Sequence, residues 1–309
     1  MKTKLANFNM TPFLATIGFI SFTVGTFGED VSHVLPAEIR QSLILYYDFA
    51  SEPVAGKIID KSGHGNDGLA VNVEFVKDGH QGGAAKFGLN DSYITVPNNE
   101  DLNPRVLTLS AWIKTSYKDR VWRRIFDKGT GKGYVLSMCG DDKAKSYRGQ
   151  VDIEPGKTFS PSGIQVADGQ WHQVVGTFDG KDAKVYVDGW PVGKPGHWIG
   201  EIPHTDYDLT IGANRSNPDG ALGEIDASFN GMMDDVMMFN RALSADEVQT
   251  VFKAQGGVLV PRQIPAPTSE PQNKPNAAER LKQVKQLFDQ GMINKEDYDK
   301  KVKEIMDSL

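Results

Sequence analysis

An all-β sandwich of the jelly-roll kind, followed by a Pro-rich linker and a small α-helical hairpin, is the fold class that this sequence predicts. Three observations carry that expectation. Short β-rich runs recur from Leu43 to Phe239; 32 Gly and 16 Pro supply the turns between them; and apolar residues keep helical spacing over a long stretch only near the C-terminus. At 309 residues the chain has room for one large β domain and an appendage. Lys and Arg number 34 against 40 Asp and Glu, a formal charge of −6, and no basic block stands out, which disfavours a nucleic-acid binder that tracks phosphates. With 39% hydrophobic residues the chain is too apolar for wholesale disorder.

The elements follow in order. Residues 1–28 open with Lys2 and Lys4, then run uncharged from Leu5 to Gly28 through Phe13, Leu14, Ile17, Phe19, Ile20, Phe22 and Val24. That pattern reads as a secretory signal, with an uncleaved membrane anchor as the alternative; interspersed Thr and Ser weaken the anchor, and no A-x-A site fixes a cleavage point. Residues 29–42 are a lead-in. From 43 to 255 strands are expected at Leu43–Phe49, Tyr93–Val96, Val106–Lys114, Tyr134–Met138, His172–Phe178, Lys184–Val187, Leu209–Ile211 and Met232–Phe239. Asp179-Gly180 and Asp188-Gly189 suit the positive backbone angles of tight reversals. Cys139 is the only cysteine, so the fold has no internal disulfide, and its strand-like setting suits a small buried hydrophobe. Ser244 stands three residues before Glu247, a capping box that starts a short closing helix. Five prolines between 256 and 276 mark a linker. Over 277–309, Leu281, Val284 and Phe288 give one helix its apolar face, and Tyr298, Val302, Ile305 and Leu309 give a second, with Gly291 ending the first and Asn294 with Asp297 capping the next. So short a hairpin hides two such stripes poorly by itself, so self-association or a partner surface is expected.

Seven pieces of the central segment, in order, resemble the laminin G-like (concanavalin A-like) jelly-roll domains of secreted proteins. They are Tyr47-Asp-Phe49, Asp60-Lys-Ser-Gly-His-Gly-Asn-Asp-Gly68, Tyr93-Ile-Thr-Val-Pro97, Leu107-Thr-Leu-Ser-Ala-Trp-Ile113, Trp171-His-Gln-Val-Val-Gly-Thr-Phe-Asp-Gly180, Val185-Tyr-Val-Asp-Gly189 and Phe229-Asn-Gly-Met-Met-Asp-Asp-Val236, the last running into Phe239-Asn-Arg-Ala-Leu-Ser244. The tail, above all Leu287-Phe-Asp-Gln-Gly-Met-Ile-Asn-Lys-Glu-Asp-Tyr298, looks like the short C-terminal SHOCT-type hairpin of many bacterial proteins.

The resemblance implies a structural calcium near the Asp60–Gly68 loop, held by Asp60 and Asn66, with Asp234 or Asp235 of the late strand as distant ligands. The competing reading has Asp60 capping backbone amides with no metal. If Val236 and Met238 face inward, alternation puts Asp234 on their face and Asp235 on the other. Trp112 and Trp171 occupy strand positions where the family places inter-sheet core aromatics. Trp190 and Trp198 stand in a Gly/Pro-rich stretch read as a loop; with His204 and Tyr207 they form a candidate ligand-contact patch, against the alternative of packing over a sheet edge. His172, next to a core Trp, reads as structural. Glu224-Ile-Asp226-Ala-Ser228 resembles the Glu-x-Asp-x-Glu strand of laminarinase-type hydrolases, but Ser228 replaces the second carboxyl and cannot protonate a leaving group at neutral pH. No phosphate loop, His-Glu-x-x-His or Gly-x-Ser-x-Gly elbow is present.

The expectation is therefore an exported, secreted or periplasmic, non-catalytic module. It would recognise carbohydrate or an extracellular or envelope protein through its loops, with the hairpin mediating oligomerisation or docking. The alternative is a concanavalin A-like glycoside hydrolase or polysaccharide lyase.

Overall fold

The computed structural model describes residues 33–88, 92–117, 123–129, 132–141, 146–153, 157–159, 166–214, 228–261, 277–289 and 294–306. The export segment, Glu224, Asp226, Gly291, Leu309 and most of the linker lie outside the described residues, as does the side chain of Cys139. The chain divides into two units, one ending at Leu259 and the other running from Val260 to Leu309.

Among the described residues of the first unit, sixteen strands follow a short helix α1 (Ala37–Arg40): β1 (Leu43–Tyr47), β2 (Lys57–Ile58), β3 (Gly68–Val71), β4 (Glu74–Val76), β5 (Ala84–Phe87), β6 (Tyr93–Val96), β7 (Leu107–Lys114), β8 (Arg123–Lys128), β9 (Tyr134–Asp141), β10 (Ser146–Ile153), β11 (Lys157–Phe159), β12 (Trp171–Phe178), β13 (Asp182–Val187), β14 (Trp190–His197), β15 (Leu209–Ile211) and β16 (Gly231–Phe239). Helix α2 (Ala245–Ala254) closes the unit. One sheet has the order β14-β13-β12-β7-β16-β5-β4, with β1 also on β16; the other runs β11-β10-β9-β8-β15-β6-β3-β2. The two layers enclose the main core. Along β7, Leu107, Leu109, Ala111 and Ile113 point into it, as do Val174 and Phe178 of β12 and Val185 and Val187 of β13.

The opposite residues of the first sheet face outward and carry a second core. Leu35, Ile39, Tyr46, Val175, Tyr186, Met237 and Phe239 pack there against Leu243, Val248 and Val251 of the closing segment. Ser244 accepts from the Glu247 amide and Glu247 reaches back to the Ser244 amide, the capping box that the sequence predicts. Trp112 belongs to this outer side and not to the inter-sheet core: its ring stacks between His80, 3.4 Å between centroids, and Phe252, 5.3 Å. The period of two decides this, because both neighbours of Trp112 already point inward.

Two further expectations change. Trp190–His197 is a strand and not a loop, since Asp188 (φ 52°) and Gly189 (φ 76°) form a two-residue reversal that pairs Val187 with Trp190. Pro191 and Pro195 are tolerated because β14 is an edge. In β16 the register shifts between Asp234 and Met237, and Asp235 takes a φ of 46°. That bulge cancels the alternation: Asp234 pairs with outward Trp112, Asp235 bonds to outward Tyr46, and Val236 returns to the core. Asp234 thus does not share the face of Val236 and Met238.

In the second unit α3 (Ala277–Asp289) and α4 (Lys295–Met306) form the expected hairpin. Phe288 and Tyr298 meet at 4.8 Å between ring centroids, Val284 and Ile305 are buried, and Asn294 Oδ1 caps α4 by accepting from the Asp297 amide at 2.9 Å.

Candidate functional site

The connections fix which loops share an end of the sandwich. Segment 97–106 carries the chain from the end of β6 to the start of β7, and 198–208 carries it from β14 to β15, so both cross between the sheets at the same end. The turn between β8 and β9 and the loop from Asp60 to Asp67 join them there. The opposite end holds the Asp188-Gly189 turn, the end of β7 and the start of β12.

At the first end a buried lysine organises the loops. Lys128, with no exposed surface, donates from Nζ to Asn98 Oδ1 at 2.6 Å, to the Tyr207 carbonyl at 2.5 Å and to the Thr205 carbonyl at 3.4 Å. Burial pushes its ammonium down to about 8, and Asp208 and Asp206 oppose that shift. The Asn98 amide donates to Asp208 Oδ1 at 2.9 Å and the Thr205 amide to Asn103 Oδ1 at 3.0 Å, so two loops hold each other around the cation. Above this brace His204, exposed, lies 3.4 Å from Glu100 Oε1, and the Tyr207 ring, half-buried, covers Gly129. A Cβ on Gly129 would stand 2.6 Å from that ring, and its φ of 86° independently favours glycine. His64 joins the third loop through Asp101 at 2.8 Å, and Asn99 donates to Asn66 Oδ1 at 2.6 Å.

Asp60 and Asn66 lie together in this third loop. Asp60 Oδ1 accepts from the amides of Tyr46 and Ser62, each at 2.9 Å; Oδ2 accepts from the Ser62 hydroxyl at 2.7 Å and the Asn66 amide at 3.0 Å. Four donors fill the lone-pair positions of one carboxylate. Asn66 is equally committed, its side chain donating to the Ile44 carbonyl and accepting from Asn99. The donor set does not fit a calcium ion, because N–H and O–H groups stand where a cation would need lone pairs. Asp234 and Asp235 belong to a different cluster: Asp234 Oδ2 accepts from the His80 and Gln81 amides at 2.9 Å, its Oδ1 from the Asp235 amide at 2.8 Å, and Tyr46 donates to Asp235 Oδ1 at 2.8 Å. Burial pushes the Asp234 carboxyl up to about 7 against the opposing pull of the three amides. Among the described residues no group of three or more His, Cys, Asp and Glu is arranged to hold a metal ion.

The aromatic patch divides. Trp190 pairs with Val187 and His197 with Asp182, positions five residues apart on β13, so the two tryptophans are separated by roughly 17 Å of strand or more. Trp198 shares the first end with His204 and Tyr207, but its ring stacks on Phe178 at 5.2 Å and is packed against the main core. Trp190 is at the other end. His172 is held between Asp188 at 2.8 Å and Asp168 at 3.3 Å, a structural setting whose Asp188 hydrogen bond raises its pKa. Ser228 is buried, and its carbonyl accepts from Arg123 at 2.8 Å. Lys128 was not legible as a site residue: in Lys128-Gly-Thr-Gly-Lys-Gly133 it reads as a solvated turn charge, and only its position at the end of a strand hints otherwise.

A profile of the family described as the concanavalin A-like lectin/glucanases superfamily, of laminin G type, matches residues 88–249, just over half of the chain. The chain belongs to this superfamily. Within it, the chain is 30% identical over 135 residues to neurexin-2-beta of mouse and of rat, matching 42% of this chain and 20% of theirs. It therefore spans about a fifth of the length of those curated relatives. Among solved structures, domain 4 of AbnA, a GH43 extracellular arabinanase from Geobacillus stearothermophilus, in complex with arabinotriose, is similar with a TM-score of 0.53 at 18% identity, covering 68% of this chain and 98% of that one. The binding domain of Paraclostridial Mosquitocidal Protein 1 gives a TM-score of 0.52 at 18% identity over 69% and 52% of the two chains. The binding domain of botulinum neurotoxin DC in complex with SialylT gives 0.52 at 12% identity over 70% and 52%. At these identities the likeness establishes the superfamily's fold. Among the described residues no helix is long and apolar enough to cross a membrane.

Proposed function

We propose that this superfamily member is an exported, non-catalytic recognition module that binds carbohydrate at the first end of its sandwich, between the 97–106 and 198–208 loops. The observation that supports this most is the buried Lys128, which fixes Asn98 and the carbonyls of Thr205 and Tyr207 in advance of any ligand. A rigid loop pair presents its hydrogen-bonding groups with little ordering cost, which is what selective binding of a polar ligand needs. The surface so formed carries Tyr207, His204, Glu100 and Asp101: one aromatic ring beside donors and acceptors, a mixture suited to the apolar face and hydroxyl edge of a sugar. That carbohydrate or protein ligands are named for several similar structures supports the reading at the level of the fold only.

The test is retention on a panel of neutral polysaccharides. Tyr207→Ala is expected to abolish retention while leaving the melting temperature within a degree or two of wild type, since the side chain is only half-buried. Lys128→Met should weaken binding and also destabilise the domain by about 3 kcal/mol, because Asn98 and two carbonyls lose their buried donor. A wild-type protein retained by nothing on the panel removes the carbohydrate reading.

A further inference from the structure

The opposite end of the sandwich carries a second surface with a different chemistry. On the outer face of the first sheet the pairings Glu74↔Lys86, Lys86↔Met232, Met232↔Lys114 and Lys114↔Trp171 set one row of side chains across β4, β5, β16, β7 and β12. The adjacent row, Asp234, Trp112 and Gln173, is covered by His80, Phe252 and Gln255. In the first row Met232, Lys114 and Trp171 are half-exposed, with the His80 ring 6.0 Å from that of Trp171.

Two cations on this end stand beside aromatic rings. Lys114 Nζ lies 6.0 Å from the Trp171 ring centroid, and the Arg123 guanidinium lies 5.2 Å from that of Tyr117. A short bonded path joins the pairs. Arg123 donates to the Ser228 carbonyl at 2.8 Å, Thr115 Oγ1 donates to the Asn230 carbonyl at 2.5 Å, and the Tyr117 amide donates to Thr115 Oγ1 at 3.0 Å. Of the neighbouring acids, Glu74 pairs with Lys86 at 2.8 Å, and Asp168 and Asp188 share the single imidazole of His172. Among the described residues Lys114 has no carboxylate within ion-pair distance. In a chain of net charge −6, Lys114 and Arg123 place positive charge beside aromatic rings at this end.

We propose that this row, centred on Trp171 and Lys114, is a second ligand site that takes an acidic saccharide, a sugar bearing a carboxylate or a sulfate. The ring supplies a flat apolar face for one side of the pyranose, and Lys114 supplies the charge-assisted partner for its acid group. The site goes beyond the reading of the first end and shares no residue with it.

The full-length protein is tested by affinity electrophoresis in gels containing polygalacturonate, dextran sulfate or uncharged dextran. Retardation is expected with an acidic polymer and not with dextran, falling as salt is added. Lys114→Ala and Trp171→Ala should each weaken it about tenfold, the equivalent of one lost contact of 1.4 kcal/mol. Trp171→Tyr, which keeps a ring, should retain most of the binding, and melting curves confirm that each variant is folded. Retardation by polygalacturonate identifies the carboxylate as the acid read, and by dextran sulfate alone the sulfate. Tyr207→Ala should leave this binding unchanged, so failure here and failure at the first end are separable. No retardation by either acidic polymer overturns the proposal. So does a loss with Lys114→Ala but none with Trp171→Ala, which would reduce the surface to charge alone. Equal competition by polyglutamate would make the ligand an acidic peptide and overturn the saccharide class.

Discussion

Asp60 shows how one residue type in one glycine-rich loop supports two different chemistries. A carboxylate there can collect a cation or collect amide protons, and the spacing of Asp60, Ser62, Asn66 and Asp67 is compatible with both. The structure fills both oxygens with donors from two segments of chain, the loop itself and Tyr46 of β1, which ties the loop to the sheet. Asp60→Ala is accordingly expected to destabilise the β unit by about 3 kcal/mol, several buried amides losing their acceptor together. Excess chelator should leave the melting temperature of the wild type where it was, and a chelator-dependent fall would restore the calcium reading. Lys128 is the converse case. Its sequence context is that of an ordinary exposed turn, and its role depends on carbonyls contributed nearly eighty residues later, at Thr205 and Tyr207.

At the scale of the element, local rules hold where their cause is local. The closing helix begins where Ser244 and Glu247 predict, and the Arg241 guanidinium adds a two-pronged ion pair to Glu247, at 2.7 and 2.9 Å. That ion pair, foremost, and the cap amide hold the Glu247 carboxyl down to about 2, below its ordinary 4.5. A folded-state pKa below the unfolded value means that the contribution is complete above about 4.5 and is lost as pH falls toward 2. Acid titration of melting should show this loss in the wild type and a shallower fall in Glu247→Gln. A Gln variant with the same acid limb would refute the assignment. Strand positions were legible where β-branched and aromatic residues cluster, as in β6, β7, β12 and β15. The short β2 to β5 escaped because Gly, Ala and Lys carry little strand signal and owe their conformation to the neighbours they pair with. In β14 a composition rich in Gly and Pro pointed to a loop, but a tight reversal and an unpaired outer edge permit a strand. The bulge at Asp234–Asp235 is likewise invisible to a period-two reading, because it is the point at which that period is interrupted.

At the scale of the whole molecule the chain is two units, each with its own buried residues. Removing residues 260–309 should therefore leave the melting temperature of the β unit unchanged, and sedimentation should show whether self-association is lost with them; a full-length monomer would contradict an assembling role for the hairpin. By itself the sequence determined the layered β class, the superfamily, the capped closing helix and the helical hairpin, since each follows from composition, periodicity or contiguous motifs. Only the tertiary structure decided which residues meet. It separated Trp190 from Trp198 along a strand, moved Trp112 to the outer face, buried Lys128 beneath the loops and set Lys114 beside Trp171. The physical reason is that a site in a sandwich is assembled across strands and between sheets, by register and crossover. Residues adjacent in such a site are distant in the chain, and the alternation that places each one can be reset by a single extra residue.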